Sequence, residues 1–425
     1  MGEVMRARWC LLGLLIAGLI AGCRGRTAAE AEAEAETEAG AETEAETEEE
    51  TEEETAAERG CTDRPGQLVR CQRTFTLPVH PWTDRALPRD DREGGPKAVL
   101  VDAAAGELWV AMLVGPPALR IHDLATGQQK AAIELGELGA VEFAVSKDGD
   151  RVYVSQLESS TIFEIDRSAR TVLREFPAGG DWPKILELSA DGSALFSSNW
   201  TGGTVTRIDL TSGLVADSYE VGEVPRGLYA TADGRSLFVA GFGDGDLRRI
   251  ELETGKVEVI HDSTGALRHI VADEERGVLY VSDLRHAKIL RVDLETLAVT
   301  EWASTRPKPN TIHLSPDGRV LFVSCRGPNN PESYLDPGPE WGAVLLLDTA
   351  TGELLDAIVG GNQPTGLDLS ADGSLLVFSD FIDNRLNLYD VPGSAELAAG
   401  GGGRASSYRE DLIKPDWGGW IPASP

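Results

Sequence analysis

The sequence has few of the residues and motifs on which enzymes most often build an active site. Histidine occurs 6 times and cysteine 5 times in 425 residues. The chain contains no CxxCH haem-attachment motif, no nucleophile elbow, no phosphate-binding loop and no dinucleotide-binding glycine fingerprint. These absences disfavour the corresponding enzyme classes, and we expect no cofactor.

Positive charge is also scarce. The 39 Lys and Arg residues are outnumbered by 70 Asp and Glu residues, which gives a formal net charge of −31 at pH 7. This balance disfavours nucleic acid as a physiological partner, because binding to phosphates depends on clustered cations. A local basic site within the acidic chain would be the exception.

The N-terminal apolar run, Leu11–Ile20, is too short for a membrane-spanning helix and follows two arginines, as in a secretory signal. Ile20-Ala21-Gly22-Cys23 resembles the bacterial lipobox, in which the signal is cut before a cysteine that is then lipidated. The resemblance implies that residues 1–23 contain a lipoprotein signal peptide, with Cys23 as the first mature residue, and that lipid attached to Cys23 anchors the protein in a lipid bilayer. We expect a bacterial cell-envelope protein, on the periplasmic side of the outer membrane or at the cell surface. An ordinary signal peptide with an incidental cysteine is the alternative.

Low complexity characterises the next segment. Residues 27–58 consist of Ala, Glu and Thr with one Gly, and they include 15 Glu but no Lys or Arg. Such a composition cannot form a packed core, so we predict a disordered acidic tether over residues 24–60. Capture of cations or basic partners is an alternative role.

The cysteines after the tether suggest a disulfide. Cys61 and Cys71 can close a small loop in an exported protein, and Cys325 is left unpaired. We do not expect a metal site here, because no histidine or second cysteine pair accompanies them.

One phrase recurs through the chain: an alternating strand, a tight turn with glycine, an apolar strand, and a third strand ending in an acidic residue. The glycines are Gly106, Gly149, Gly192, Gly234, Gly277, Gly318 and Gly373. The acidic residues are Asp123, Asp166, Asp209, Glu251, Asp293, Asp348 and Asp390. Seven multi-stranded units at a period of about 42 predict an all-β fold, a seven-bladed β-propeller of four-stranded blades.

The seventh repeat lacks a fourth strand, whereas Gln72–Val79 forms a spare strand ahead of the first repeat. Pairing the two would close the ring and remove an exposed edge. We therefore predict a propeller domain over residues 61–392 and a Gly-rich C-terminal tail over residues 393–425. The tail carries Trp417 and Trp420, and it is either loose or an arm whose indoles dock on the propeller.

The second-strand phrases YVSQ (Tyr153–Gln156), FSSN (Phe196–Asn199), YVSD (Tyr280–Asp283) and FVSC (Phe322–Cys325) resemble the YVTN seven-bladed propeller family. That family contains exported bacterial proteins of largely unassigned function and is related to lactonase-type propellers. The resemblance covers about three quarters of the chain. It implies the fold, but it supplies no shared catalytic signature.

The start of each first strand should lie at the mouth of the central channel. The residues there are Lys97, Val141, Lys184, Arg226, Arg268, Asn310 and Thr365. We call the four cations Lys97, Lys184, Arg226 and Arg268 the cationic mouth. Converging cations require either acidic neighbours, such as Glu142, Asp181, Asp283 and Asp380, or a bound anion.

The ends of the second strands add a polar and aromatic rim on the same face. We predict that Asn199, Trp200, Asn310, Arg326 and Asp380 join the cationic mouth in ligand binding. The insertion Cys325–Gly342, in the second-to-third loop of the sixth repeat, lies on this face and is a place to build specificity.

Two functional hypotheses follow. The first is a monomeric binding or scaffold module for an anionic small molecule, a peptide or a cell-wall fragment. The alternative is a lactonase-like hydrolase that uses His269, His286 or Asp283 as acid–base groups. Because no nucleophile and base can be assembled from the sequence, the binding module is preferred, and no metal is expected at the histidines.

Overall fold

The computed structural model describes residues 60–78 and 94–415. The signal peptide, Cys23, the tether apart from Gly60, Val79, Trp417 and Trp420 lie outside the described residues. The described residues contain no helix that is both long enough and apolar enough to cross a membrane.

The described chain forms seven four-stranded antiparallel sheets, each a blade of a propeller. The strands are β1 (Arg70–Thr76), β2 (Gly94–Asp102), β3 (Glu107–Val114), β4 (Leu119–Asp123), β5 (Gln129–Ile133), β6 (Phe143–Val145), β7 (Arg151–Gln156), β8 (Thr161–Asp166), β9 (Thr171–Pro177), β10 (Pro183–Leu188), β11 (Ala194–Asn199), β12 (Thr204–Asp209), β13 (Leu214–Glu220), β14 (Pro225–Ala230), β15 (Ser236–Gly241), β16 (Asp246–Glu251), β17 (Lys256–Asp262), β18 (Leu267–Asp273), β19 (Val278–Asp283), β20 (Lys288–Asp293), β21 (Val299–Ser304), β22 (Pro309–Leu314), β23 (Val320–Cys325), β24 (Ala343–Asp348), β25 (Leu354–Val359), β26 (Pro364–Leu369), β27 (Leu375–Asp380) and β28 (Arg385–Asp390). Blades 1 to 6 take four consecutive strands each, starting from β2, and blade 7 consists of β26, β27, β28 and β1.

The repeated residues have a direct local cause. Every glycine of the first-to-second turn has a positive φ, between 64° and 78°, a conformation that costs glycine little and other residues more. The acidic residue that ends the third strand caps the next turn: the Asp209 carboxylate accepts the backbone N–H of Ser212 at 2.7 Å, and Asp293 accepts that of Thr296 at 2.8 Å. The two periodic features therefore mark the two turns that define a blade.

The ring closes as the missing fourth strand predicts. β1 pairs antiparallel with β28, from Arg70 opposite Asp390 to Thr76 opposite Arg385. The first strands of the seven blades contact one another in cyclic order, including β26 with β2. A disulfide joins Cys61 to Cys71, and Cys325 is buried as a free thiol. Closure leaves no unpaired edge at the seam of the ring.

The core lies between the blades. One second-strand position supplies a large buried side chain in almost every blade: Trp109, Tyr153, Phe196, Phe238, Tyr280, Phe322 and Val377. All of these side chains are at most 4% exposed. This column confirms that the position serves packing between blades.

Residues 394–415 pack against the outer strand of blade 6. They begin with a short helix α1 (Ser394–Ala399) and include a 3₁₀ turn (Glu410–Leu412). Leu397, Tyr408 and Leu412 are buried in the hydrophobic clusters of blades 5 to 7. The buried Asp356 carboxylate on β25 accepts the backbone N–H groups of Leu68 at 2.7 Å, Val69 at 3.1 Å and Arg404 at 2.9 Å. One side chain therefore ties the segment before β1 and the segment after β28 to the same strand.

Candidate functional site

The mouth position of the first strand lies in a β-bulge in six blades. The strand register shifts at this point in blades 1 and 3 to 7, for example between Pro225 and Leu228 and between Pro309 and Ile312. A bulged residue is unpaired and its side chain is re-aimed relative to the regular strand. The bulges hold Lys97, Lys184, Arg226, Arg268, Asn310 and Thr365.

A second backbone feature precedes four of these bulges. The residue before the first-strand proline has a positive φ although it is not glycine: Trp182 (63°), Val224 (55°), Lys308 (63°) and Gln363 (62°). Such a conformation costs energy for a non-glycine residue, especially a β-branched or bulky one, and it tends to occur at functional sites. The carbonyls of these residues accept the N–H of Trp200, Phe242, Arg326 and Phe381, respectively. The rim residue after the second strand is thereby fixed beside the bulge.

The cations converge on the channel axis. Lys184, Arg226 and Arg268 are only 6%, 7% and 4% exposed. Burial lowers the pKa of Lys97 well below its usual range, and the charges of Arg268, Lys184, Arg226 and Arg326 lower it further. Arg268 has the largest charge effect on Lys97, although the two residues belong to blades 5 and 1. Side chains from blades far apart in the ring therefore act on one another electrostatically.

Aromatic rings back the cations. Lys184 Nζ lies 4.8 Å from the centroid of Trp200, and Lys97 Nζ lies 4.9 Å from that of Phe381. Arg226 and Arg268 share Phe242, at 5.8 Å and 5.9 Å. Such contacts stabilise a cation modestly but leave its N–H groups without acceptors.

Carboxylates do not pair with the cationic mouth. Within residues 60–78 and 94–415, no side-chain hydrogen bond or ion pair joins Lys97, Lys184, Arg226 or Arg268 to an acidic group. Glu142, from blade 2, has a charge that acts on Lys184, Arg226 and Arg268, and the charge of Glu158 also acts on Lys184. Burial raises the pKa of Glu142 to about 7, although nearby cations oppose the rise. Glu142 therefore offsets the mouth cations only in part near neutral pH.

Two of the predicted acidic neighbours are committed elsewhere. Asp380 is fully buried, accepts the N–H of Gly361 at 2.8 Å and forms an ion pair with Arg385 at 2.7 Å. Asp283 is also fully buried and accepts the N–H of Ala266 and His286, each at 3.2 Å. Both carboxylates hold loops of their own blades.

The predicted rim residues divide into two groups. Asn199 is fully buried and donates to Thr204 at 3.1 Å and to Thr206 at 3.2 Å. It therefore holds a loop, as Asp380 does, and neither Asn199 nor Asp380 is placed to contact a ligand. Trp200 stacks on Trp182 with centroids 5.9 Å apart and lies under Lys184. Asn310 donates to the carbonyl of Thr365 at 3.1 Å, between the bulges of blades 6 and 7. Trp200, Asn310 and Arg326 thus remain at the mouth.

The insertion of blade 6 is anchored beside the mouth. Arg326 donates to the side-chain oxygen of Gln363, whose amide nitrogen donates to the carbonyl of Tyr334. Lys414 donates to the carbonyl of Gly338 at 2.7 Å and lies 4.2 Å from the centroid of Trp341. Burial lowers the pKa of Arg326 to about 10, and its charge acts on three of the mouth cations.

Sequence reasoning missed Lys308 and Gln363, which directly precede the first-strand prolines of blades 6 and 7. Burial lowers the pKa of Lys308, and the charges of Arg326 and Arg268 lower it further. The available signal was the proline that starts the first strand of most repeats, because the residue before it directly precedes the bulge. The side chain of that residue could not be assigned to the mouth without knowing that its backbone has a positive φ.

Two of the three acid–base candidates, His286 and Asp283, contact each other, whereas His269 has other charged neighbours. His286 Nδ1 lies 2.8 Å from Asp283 Oδ2, and its side chain is 35% exposed. Burial lowers the pKa of His269 to about 3, and the charges acting on it come from His313, Arg226 and Arg268. The described part of the chain contains no group of three or more His, Cys, Asp or Glu residues placed to hold a metal ion.

The fold and site define a seven-bladed β-propeller with unpaired, converging cations at one end of its channel. Over 83 residues the chain is 54% identical to Antigen Lp49 of Leptospira interrogans. This stretch is 19% of this chain and 18% of that protein. The match thus spans less than a fifth of that relative's length. No protein-family model matches the chain, so the YVTN resemblance stays a prediction.

A solved structure supports the fold. The chain is similar to a structure of Kuenenia stuttgartiensis hydrazine synthase with a TM-score of 0.58 and 16% sequence identity, over 75% of this chain and 99% of that chain. At this identity the likeness shows the propeller fold alone.

Proposed function

We propose that the protein is a binding module of the bacterial cell envelope, tethered to a membrane through Cys23. Its cationic mouth would hold an anionic small molecule, peptide or cell-wall fragment. The observation that carries this proposal is the set of three cations, each at least 93% buried, with no acidic partner among the described residues. Buried charges are normally paired, because desolvation is costly. A bound anion would supply the missing partner.

The envelope location is supported by the lipobox-like sequence before Cys23 and by the short match to a bacterial protein named as an antigen. Hydrolysis receives no comparable support, because Asp283 is fully buried and is committed to loop N–H groups and to His286, while the charges acting on His269 come from neither candidate. The YVTN resemblance is consistent with an exported binding propeller, and it is part of this proposal.

The test replaces Arg226 and Arg268 together by Gln. Each lost charge-assisted contact is worth about 1.5–3 kcal/mol, so anion affinity should fall by about one to three orders of magnitude if the contributions overlap. A double Arg207→Gln and Arg235→Gln variant is the matched control, since it makes the same change in net charge at residues that are 38% and 83% exposed. Binding of sulfate, pyrophosphate and citrate is measured by isothermal titration calorimetry.

Stability separates this proposal from the alternative that the arginines are structural. The free energy of unfolding should hold or rise in the Arg226 and Arg268 double variant, because two mutually repelling charges are removed. A double variant that is less stable than wild type and binds anions with unchanged affinity would make the arginines structural.

A further inference from the structure

We infer that the ligand of the cationic mouth is a compact oxyanion with three or more negative charges, bound on the channel axis; this inference rests on the proposed function. An anion patch on one side of the channel would use cations from one arc of the ring only. Here the cations come from blades 1, 3, 4 and 5, with Arg326 and Lys308 from blade 6. The inference therefore concerns the valence and size of the ligand.

The placement of the cations favours a ligand whose negative charges lie together near the channel axis. The first strands of the seven blades contact one another in cyclic order, and those of blades 1, 3, 4 and 5 each place a cation at the mouth beside an aromatic ring. A single ligand that touched only one blade would leave the other cations unpaired. A ligand on the axis can reach several of them at once, provided that its charges lie within a small volume.

Charge balance indicates the valence. Six cations, Lys97, Lys184, Arg226, Arg268, Arg326 and Lys308, act on one another at the mouth. Two carboxylates oppose them: Glu142 acts on most of the six, Glu158 acts on Lys184, and burial raises the pKa of both, that of Glu142 to about 7. A monoanion would therefore leave most of the excess uncompensated, whereas a trianion would compensate it over several contacts.

The aromatic rings restrict the direction of contact. Trp200, Phe242 and Phe381 lie against one side of the mouth cations, so anionic oxygens approach from the opposite side. Guanidinium groups present paired N–H donors to carboxylate or phosphate oxygens. Carboxylate and phosphate polyanions share this chemistry, and the experiment distinguishes them.

The test is a valence series on the full chain by isothermal titration calorimetry at constant ionic strength. One arm uses acetate, succinate and tricarballylate, which carry one, two and three carboxylates. The other arm uses phosphate, pyrophosphate and tripolyphosphate. We expect affinity to rise at least tenfold with each added carboxylate or phosphate group in one or both arms. The arm whose third member binds more tightly identifies the oxyanion.

The outcomes separate this inference from the proposed function. Acetate binding as tightly as tricarballylate, together with phosphate binding as tightly as tripolyphosphate, would overturn the valence inference and leave anion binding intact. Absence of binding by every anion would overturn both. The Lys97→Gln variant should weaken tripolyphosphate or tricarballylate binding by a larger factor than it weakens acetate binding, while Lys256→Gln, at a residue that is 66% exposed, serves as its control. Equal losses for acetate and for the polyanions in Lys97→Gln would also contradict the inference.

Discussion

Replacing Asp356 by Ala should release both end segments of the propeller domain from blade 6. The fully buried Asp356 carboxylate accepts four backbone N–H groups, from Leu68, Val69, Ala357 and Arg404, and three of these come from other segments. Each charge-assisted hydrogen bond is worth about 1.5–3 kcal/mol. Since the carboxylate also loses its desolvation cost, we expect a net destabilisation of about 3–5 kcal/mol. Asp356→Asn keeps one of the two acceptor oxygens and should lower the free energy of unfolding by about half as much.

Urea unfolding and hydrogen exchange measure this effect together. The midpoint reports global stability, and peptides covering residues 61–72 and 400–412 report local opening. Glu353→Gln is the matched control on the same blade, because that residue is exposed and should change stability by less than about 0.5 kcal/mol. An Asp356→Ala protein with a wild-type midpoint and wild-type protection in both peptides would refute the tie.

Three further predictions concern the ring, the site and the anchor. A chain beginning at residue 60 should fold, whereas one beginning at residue 79 lacks β1, exposes the edge of β28 and should aggregate; equal solubility in light scattering would contradict closure. Because a bound anion repels ionised Glu142, whose pKa burial raises to about 7, sulfate affinity should rise as pH falls from about 8 to about 6. Glu142→Gln should flatten that calorimetric profile, and a persisting pH dependence would reject the role. Cys23→Ala should move the protein from the membrane to the soluble fraction, and continued membrane association would place the anchor elsewhere.

The blade architecture was predictable because its signals are local and repeated. A glycine with positive φ and an acidic turn cap must recur wherever the chain reverses, so two columns of residues define each blade. The closing strand followed from counting strands in the seventh repeat. The four cations could be assigned to one strand position for the same reason, since that position recurs at one radius of the ring.

Other features depend on packing that no local pattern encodes. A polar residue at the end of a second strand can face a ligand or hold a loop, and Asn199 and Asp380 hold loops. The glycine-rich composition after residue 393 does not reveal that Leu397, Tyr408 and Leu412 fit blade clusters. Such contacts arise from complementary surfaces far apart in sequence.

The bulges allow ligand specificity to change without changing the scaffold. A bulged residue makes no regular ladder pair, so its identity contributes little to the sheet. The chain already carries lysine, arginine, asparagine and threonine in the same bulge of different blades. A small number of point substitutions could therefore give a descendant or a designed variant a different set of mouth charges on an unchanged ring.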